Sequence, residues 1–247
     1  SLHHVFAAQH IDEVAVLDAR LLGPGAEQGL NLVARIPLSG GPTTSVGITP
    51  DMTRAYVNQR FNAAVSVIDT ATFQEIDTDP DSPGVNPIKL PDGAHPYLIT
   101  VDPEGHFLYV SDDLRGAIYA INIDPASPDY HAVRTIPVDP APTGVSGMDI
   151  SADGQRLYAA APGQGIFYTP PGTPELGNIV VINTDETSED FLKPIGVIPN
   201  VGREPHGITA TNDPRLITFT NRAQDSQGFG VIRANESATS WSVAYLN

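Results

Sequence analysis

A unit that recurs about every 50 residues constrains the fold of this chain more than any other feature of its sequence. Each copy is anchored by an aromatic residue in a short apolar strand. The anchors are spaced by 49 to 61 residues and are Phe6, Tyr56, Tyr109, Tyr158 and Phe219. A period of this length indicates a repeat architecture in which every copy is one supersecondary unit. The sequence therefore predicts five copies of a single unit.

Each complete copy predicts four antiparallel strands. A short strand with small residues is followed by an acidic turn, such as 102–105, and Asp, Asn and Gly are the residues that close tight turns. The aromatic strand comes next, and after it a β-branched strand that ends in Asp or Asn, such as 65–69. The last strand contains proline, as in 33–38, which is tolerated at a sheet edge because the missing N–H is not needed there.

This pattern predicts an all-β chain that forms a β-propeller of four-stranded antiparallel blades, with five blades visible. The first copy has no room for its innermost strand, so the sequence predicts 19 strands. We expect one propeller domain over 1–247, and the missing strand predicts that it is an excerpt of a longer chain and part of a larger propeller. A five-blade ring with one three-stranded blade is the alternative. The approximate bounds of the blades are 1–40, 41–92, 93–140, 141–202 and 203–247.

The repeat resembles the YVTN family of β-propeller repeats, most clearly in 51–58 with 65–70 and in 102–111 with 118–124. Blades of that family read roughly Ser-Pro-Asp-Gly, then Tyr-Val-Thr-Asn or Tyr-Val-Ala-Asn, then a strand that ends in Asp-Thr. The resemblance covers nearly the whole chain and departs at 219–221, where Phe-Thr-Asn replaces the motif. It implies a propeller fold and similarity to surface-layer and secreted proteins, and the lactonase-type propellers are similar.

Composition narrows the classes of function. The chain has 29 acidic and 13 basic residues and a formal charge of −16, which disfavours nucleic acid as a partner because phosphate binding needs clustered cations. The absence of cysteine excludes disulfides, thiolate metal sites and a cysteine nucleophile. No stretch of the sequence is apolar enough to predict a membrane span. The acidic balance and the two lysines favour a salty or extracytoplasmic setting, and the resemblance to surface-layer and secreted propellers implies a periplasmic, secreted or cell-surface protein.

Two histidines occupy equivalent positions at the entry to the first strand of their blades. His95 and His206 lie where other copies have Thr44 and Ser146. In a propeller this end of the blades surrounds the mouth of the central channel, which is the usual binding face. The two imidazoles could bind a transition metal or act as acid and base. The alternative is that each one caps its strand by a hydrogen bond to the neighbouring blade.

Three arginines recur in the second-to-third strand connections of the same face, namely Arg60, Arg115 and Arg222. They could hold an anionic ligand through bidentate hydrogen bonds. The alternative is that they form salt bridges between blades.

Two loops are further candidates. Phe167 and Tyr168 lie in the longest insertion, 162–177. We expect this insertion either to contact a partner through the two rings or to fold over the channel mouth and bury them. On the opposite face Asp77, Asp79 and Asp81 alternate as in a calcium loop, although two prolines interrupt the pattern. A solvated acidic turn is the alternative there.

The sequence contains none of the linear motifs of hydrolases or nucleotide-binding enzymes. It therefore favours a non-catalytic extracytoplasmic module that binds a protein or a cell-surface component, with no cofactor expected. The first alternative is a lactonase-type hydrolase whose site lies at the channel mouth, with a transition metal at His95 and His206. The second is an adhesin stabilised by calcium.

Overall fold

The structure, a computed structural model, describes residues 3–19, 31–141, 143–163, 175–222, 228–235 and 240–245. These residues contain twenty β-strands and no α-helix, which confirms the all-β prediction. None of the described segments is a helix long and apolar enough to cross a membrane. The chain divides into two compact units, Ser1–Val101 and Asp102–Asn247.

Unit 1 contains two antiparallel sheets and a further strand. The first sheet has the order β1-β2-β3, and the second has the order β4-β5-β6-β7 with β8 also paired to β6. A first sheet of three strands agrees with the prediction that the first blade lacks its inner strand. The strands are β1 (His4–Ala8), β2 (Glu13–Asp18), β3 (Asn31–Pro37), β4 (Thr43–Ile48), β5 (Arg54–Gln59), β6 (Ala64–Asp69), β7 (Gln74–Ile76), β8 (Ile88–Lys89) and β9 (Pro96–Val101).

Unit 2 contains β10, β11 and β12 in antiparallel order and two complete four-stranded sheets, β13-β14-β15-β16 and β17-β18-β19-β20. These two sheets have the strand order predicted for a propeller blade. The strands are β10 (Phe107–Asp112), β11 (Ala117–Asn122), β12 (Val133–Pro137), β13 (Met148–Ile150), β14 (Arg156–Ala161), β15 (Gly177–Asn183), β16 (Pro194–Gly202), β17 (Pro205–Ala210), β18 (Leu216–Asn221), β19 (Phe229–Ala234) and β20 (Trp241–Tyr245).

The outer strand of the second sheet differs from the prediction of one proline-containing last strand in each copy. Two short strands share this place: β7 pairs with the last residues of β6, and β8 pairs with the first. The segment between them is held by the Asn86 amide, which donates to the backbone oxygens of Asp79, Ser82 and Gly84. The described residues therefore contain one strand more than the nineteen predicted.

The recurring aromatic residues form the centre of the packing between sheets. Tyr56, Tyr109, Tyr158 and Phe219 are at most 1% exposed, and Phe6 is 8% exposed. Burial of one large apolar side chain stabilises a fold by about 1.5–3 kcal/mol, so a fixed aromatic position in every copy is a substantial part of the core. Each outer strand contributes little by comparison. In three outer strands a buried isoleucine directly precedes the proline: Ile36 in β3, Ile136 in β12 and Ile198 in β16.

Asn58 of the YVTN-like motif is a structural residue that joins three strands of unit 1. Its Oδ1 accepts hydrogen bonds from the backbone N–H groups of Thr44 and Ser45 at 3.2 and 2.8 Å. Its Nδ2 donates to the backbone oxygen of Tyr97 at 2.6 Å. The side chain is fully buried, so no solvent replaces these partners. The amide therefore ties β4 and β5 to β9.

Replacement of Asn58 by alanine is expected to lower the free energy of unfolding by about 2–3 kcal/mol, because it leaves the Thr44 and Ser45 N–H groups without their acceptor and removes one of the two donors to the Tyr97 carbonyl. Urea denaturation followed by circular dichroism measures this change. The control is Asn62→Ala on the exposed connection after β5, which should change stability by no more than about 0.5 kcal/mol. Equal effects of the two variants would show that Asn58 does not join the strands.

Candidate functional site

The structure brings His206 together with Arg222 and Glu204 at one end of the β17–β18 pair. His206 is the second residue of β17 and is half-buried, and Arg222 follows β18 directly. The backbone N–H of Arg222 donates to the backbone oxygen of Glu204 at 3.0 Å, and its Nε lies 3.8 Å from Glu204 Oε2. Glu204 has a φ of 51°, an unusual value for a residue other than glycine. The sequence placed His206 and Arg222 on one face, and the structure makes them neighbours.

Electrostatics hold His206 in its neutral form. Burial lowers the pKa of the imidazole, and the positive charge of Arg222 lowers it further, while the Glu204 carboxylate opposes the shift. A neutral imidazole at neutral pH can accept a proton, which is the property that a general base needs. The neighbouring guanidinium can bind an anion or a developing oxyanion.

The backbone beside His206 is fixed by the adjacent sheet of unit 2. A Cβ at Gly147 would lie 1.9 Å from the backbone oxygen of His206, so only glycine allows this approach. Ser146 Oγ donates to the Pro205 oxygen at 3.0 Å, and the Ala210 N–H donates to Asp149 Oδ2 at 2.9 Å. These contacts position β17 and therefore the imidazole.

Arg115 lies in another second-to-third strand connection of unit 2, where a buried carboxylate anchors its backbone and its side chain is exposed. Asp112 is fully buried and accepts hydrogen bonds from the Arg115 N–H at 2.9 Å and from the Tyr119 hydroxyl at 2.8 Å. Burial and the Asp112 carboxylate raise the pKa of Tyr119, which stays a neutral donor. Asp112 thus acts as the structural cap of this connection.

In unit 1 the predicted residues His95 and Arg60 both pack on aromatic rings. The His95 ring meets Phe61 edge-on with centroids 5.3 Å apart, and Phe61 is 67% exposed. The Arg60 guanidinium lies over the Tyr97 ring, 4.9 Å from its centroid, as in a cation–π contact. His95 belongs to unit 1 and His206 to unit 2, so a metal shared by the two stays a prediction.

Two further predictions concern loops. Phe167 and Tyr168 lie outside the described residues. Asp77 accepts hydrogen bonds from the Asn86 and Asp79 N–H groups at 3.0 and 3.2 Å, which lower the pKa of its carboxyl, and Asp79 Oδ2 accepts from Ser82 at 2.7 Å. Protein donors therefore already bind two of the three carboxylates of the Asp77, Asp79 and Asp81 loop. A calcium ion there stays a prediction.

Sequence reasoning missed one group of side chains. Three potential metal-ligating atoms lie within 4.8 Å of one another, one from each of Glu104, His106 and Glu186. Within the described residues, Asp77, Asp79 and Asp81 do not form such a group. Glu104 lies in the acidic turn 102–105, which the sequence assigned only to hairpin formation, and His106 follows that turn directly. Glu186 lies 80 residues after His106, and no pattern in the sequence pairs these two loops.

Comparisons with known proteins show the fold. No protein-family model matches the sequence, and no curated protein matches it. Among solved structures, the hydrazine synthase of Kuenenia stuttgartiensis is similar with a TM-score of 0.72 and 20% identity, over 99% of this chain and 62% of that chain. A periplasmic gluconolactonase of Pseudomonas aeruginosa is similar with a TM-score of 0.71 and 18% identity, over 99% of this chain and 66% of that chain. A putative 6-phosphogluconolactonase of Bacteroides uniformis is similar with a TM-score of 0.63 and 14% identity, over 99% of this chain and 83% of that chain.

The fold is therefore that of a β-propeller with four-stranded antiparallel blades, as predicted, and five visible blades are consistent with the comparisons. The chain spans less than two thirds of the length of the similar hydrazine synthase chain. The prediction of a non-catalytic scaffold is wrong, because the similar propellers include a gluconolactonase and a putative 6-phosphogluconolactonase. The lactonase-type alternative fits these findings better. The absence of a linear motif does not exclude catalysis, since propeller enzymes assemble their sites from separate loops.

Two imidazoles of unit 2 are expected to titrate on opposite sides of the ordinary value of 6.5. Burial and Arg222 lower the pKa of His206, whereas the hydrogen bond to Glu186 and the charges of Asp102 and Glu104 raise that of His106. NMR titration of the imidazole signals, assigned with His206→Gln and His106→Gln, measures both values. A higher pKa for His206 than for His106 would contradict these environments.

The stability consequences have opposite signs. The unfolded chain binds a proton at His206 before the folded chain does, so this residue reduces stability as pH falls below 6.5 towards its folded pKa. The folded chain binds a proton more tightly at His106, so its contribution is complete below 6.5 and is lost as pH rises through its folded pKa.

Proposed function

We propose that this chain is a lactonase-type hydrolase that opens the cyclic ester of a sugar acid. The observation that carries the proposal is the half-buried, neutral His206 beside the Arg222 guanidinium. The similar solved structures support the substrate class, because two of them are named for gluconolactonase activity. Their identity of 14–18% makes the argument depend on the residues of this chain.

The chemistry needs one base and one anion-binding group. His206 accepts a proton from water as the water oxygen attacks the lactone carbonyl carbon. The Arg222 guanidinium binds the carbonyl oxygen, where negative charge develops in the tetrahedral intermediate. Collapse of the intermediate breaks the ring C–O bond, and the proton held by His206 passes to the departing alkoxide. The products on one open chain are a hydroxyl group and a carboxylic acid, which releases the second proton of the water to solvent and becomes a carboxylate.

Glu204 has a positioning role in this scheme. Its carboxylate faces the Arg222 Nε at 3.8 Å, and its backbone oxygen accepts the Arg222 N–H. This pair of contacts holds the guanidinium beside the imidazole. The Glu204 carboxylate also offsets part of the effect of the Arg222 charge on His206, because it opposes the lowering of the imidazole pKa.

Four sequence-based predictions accompany the proposal. Membership of the YVTN family stays a proposal that is supported by the motif at 51–58. An extracytoplasmic location is supported by the acidic composition and by the similarity to a periplasmic gluconolactonase. A protein or cell-surface partner, and a binding role for His95 and Arg60, are also proposals.

The test is hydrolysis of glucono-δ-lactone followed at constant pH by titration of the released acid, with the spontaneous reaction subtracted. His206→Ala and His206→Gln should each lower kcat/KM by about 100-fold, the usual contribution of a general base. Arg222→Lys should lower it less than Arg222→Ala, because lysine keeps the charge but loses the planar donor pair. The matched control is His131→Asn, at a position outside the proposed site whose φ of 66° asparagine tolerates.

The pH dependence adds a second criterion. The rate should remain high below pH 6.5 and fall only as His206 gains its proton, because its folded pKa is lowered. An inactive wild-type protein, or full activity in both His206 variants, would overturn the proposal. His95→Ala measured in the same assay tests whether that residue contributes.

A further inference from the structure

A second group of functional side chains lies at the strand ends opposite those that carry His206. Glu104 and His106 belong to the turn before β10, and Glu186 belongs to the connection between β15 and β16. His106 Nδ1 lies 2.8 Å from Glu186 Oε1 and 3.7 Å from Glu104 Oε2. The three side chains come from two sheets of unit 2 and converge on one point.

These separations suit a metal ion. In a tetrahedral zinc site with bonds of about 2.1 Å, ligand atoms lie roughly 3.4 Å apart. To reach this value, the His106–Glu186 separation of 2.8 Å has to increase by less than about 1 Å. The His106–Glu104 separation of 3.7 Å has to decrease by a smaller amount. All three side chains are partly exposed, with 42%, 75% and 46% of the His106, Glu104 and Glu186 side chains accessible, so this adjustment requires no repacking of the core.

The surroundings favour a cation. A cavity of about 180 Å³ adjoins the group and is lined by its two glutamates and by Asp102, Asp153 and Asp185. Arg156 faces Asp153 at 2.7 Å and offsets one of these charges. The remaining carboxylates create a negative potential beside an imidazole, and imidazole is the ligand that distinguishes a transition metal site from a calcium site.

A buried tyrosine supplies an independent observation. Tyr109 is 1% exposed and lines the same cavity, and none of the hydrogen bonds in the described part of the chain uses its hydroxyl. Burial, Asp102 and Glu186 raise the pKa of this phenol, so it stays a neutral donor. Because Tyr109 lines this cavity, a metal-bound water or carboxylate there would accept a hydrogen bond from its hydroxyl.

We propose that Glu104, His106 and Glu186 bind a divalent first-row transition metal ion such as Zn²⁺, with Tyr109 as a hydrogen-bond donor behind the ligands. The ion would join the turn before β10 to the connection after β15 and thereby link two sheets. Its role would be structural, since it lies away from His206. Binding requires neutral His106 and therefore releases a proton, so the affinity should fall at low pH.

The experiment is calorimetric titration of the intact chain, stripped of metal by a chelator, with Zn²⁺ and separately with Ca²⁺. Wild-type protein should bind one Zn²⁺ and show a raised Tm, with Ca²⁺ at least tenfold weaker. His106→Ala and Glu186→Gln should each weaken Zn²⁺ binding by about 10-fold or more, and Tyr109→Phe by a smaller factor. Glu189→Gln on the same connection as Glu186 is the matched control and should bind as the wild type does.

Circular dichroism of each metal-free variant shows whether it folds, so that lost binding can be assigned to the ligands. Three results would overturn the proposal. They are Zn²⁺ binding that survives His106→Ala, equal weakening by Glu189→Gln and Glu186→Gln, and equal affinity for Ca²⁺ and Zn²⁺. The last result would indicate a general acidic surface without a role for the imidazole.

Discussion

Hydrogen bonds between neighbouring inner strands are the interaction on which the candidate site depends. In unit 1, Thr44 Oγ1 and Asn58 Nδ2 both lie 2.6 Å from the backbone oxygen of Tyr97. In unit 2, Ser146 Oγ donates to the backbone oxygen of Pro205. A buried carbonyl without a donor costs about 1–3 kcal/mol, so each bond fixes the approach of one inner strand to the next. The same carbonyls lie within two residues of His95 and His206, and the bonds that hold the sheets therefore also position the imidazoles.

The repeat gives each sheet two chemically different ends. One end carries the entries to the inner strands, where His206 is half-buried beside a guanidinium. The other carries the acidic turns, where His106 lies among carboxylates. One residue type therefore acquires opposite properties, because burial and a cation favour the neutral ring while carboxylates favour the charged ring. The first environment suits proton transfer, and the second suits cation binding.

The sequence determined most of the fold because the features that form a sheet are local. Aromatic position, turn residues and edge proline lie within about 50 residues of each other, and each is visible in a single copy. The division of one outer strand into β7 and β8 could not be predicted, since it depends on the Asn86 contacts across a loop. The metal-ligating group was missed for the same reason: His106 and Glu186 are joined only in space. His206 and Arg222 were both predicted as candidates from the sequence, but their pairing through Glu204 is visible only in the structure.

Comparison of equivalent positions indicates why the fifth copy carries the candidate site. The residue three places after each anchor aromatic is Gln9, Gln59, Asp112, Ala161 or Arg222. The middle three are fully buried and serve the framework, as Gln59 does by donating to Ser66 and Asp112 by accepting from Tyr119. Gln9 and Arg222 are exposed, and only Arg222 brings a charge to a neighbouring histidine. The fifth copy is also where the aromatic motif departs most from the repeat. In the fifth copy this position therefore does not contribute to the core, and it carries one of the residues that can perform chemistry.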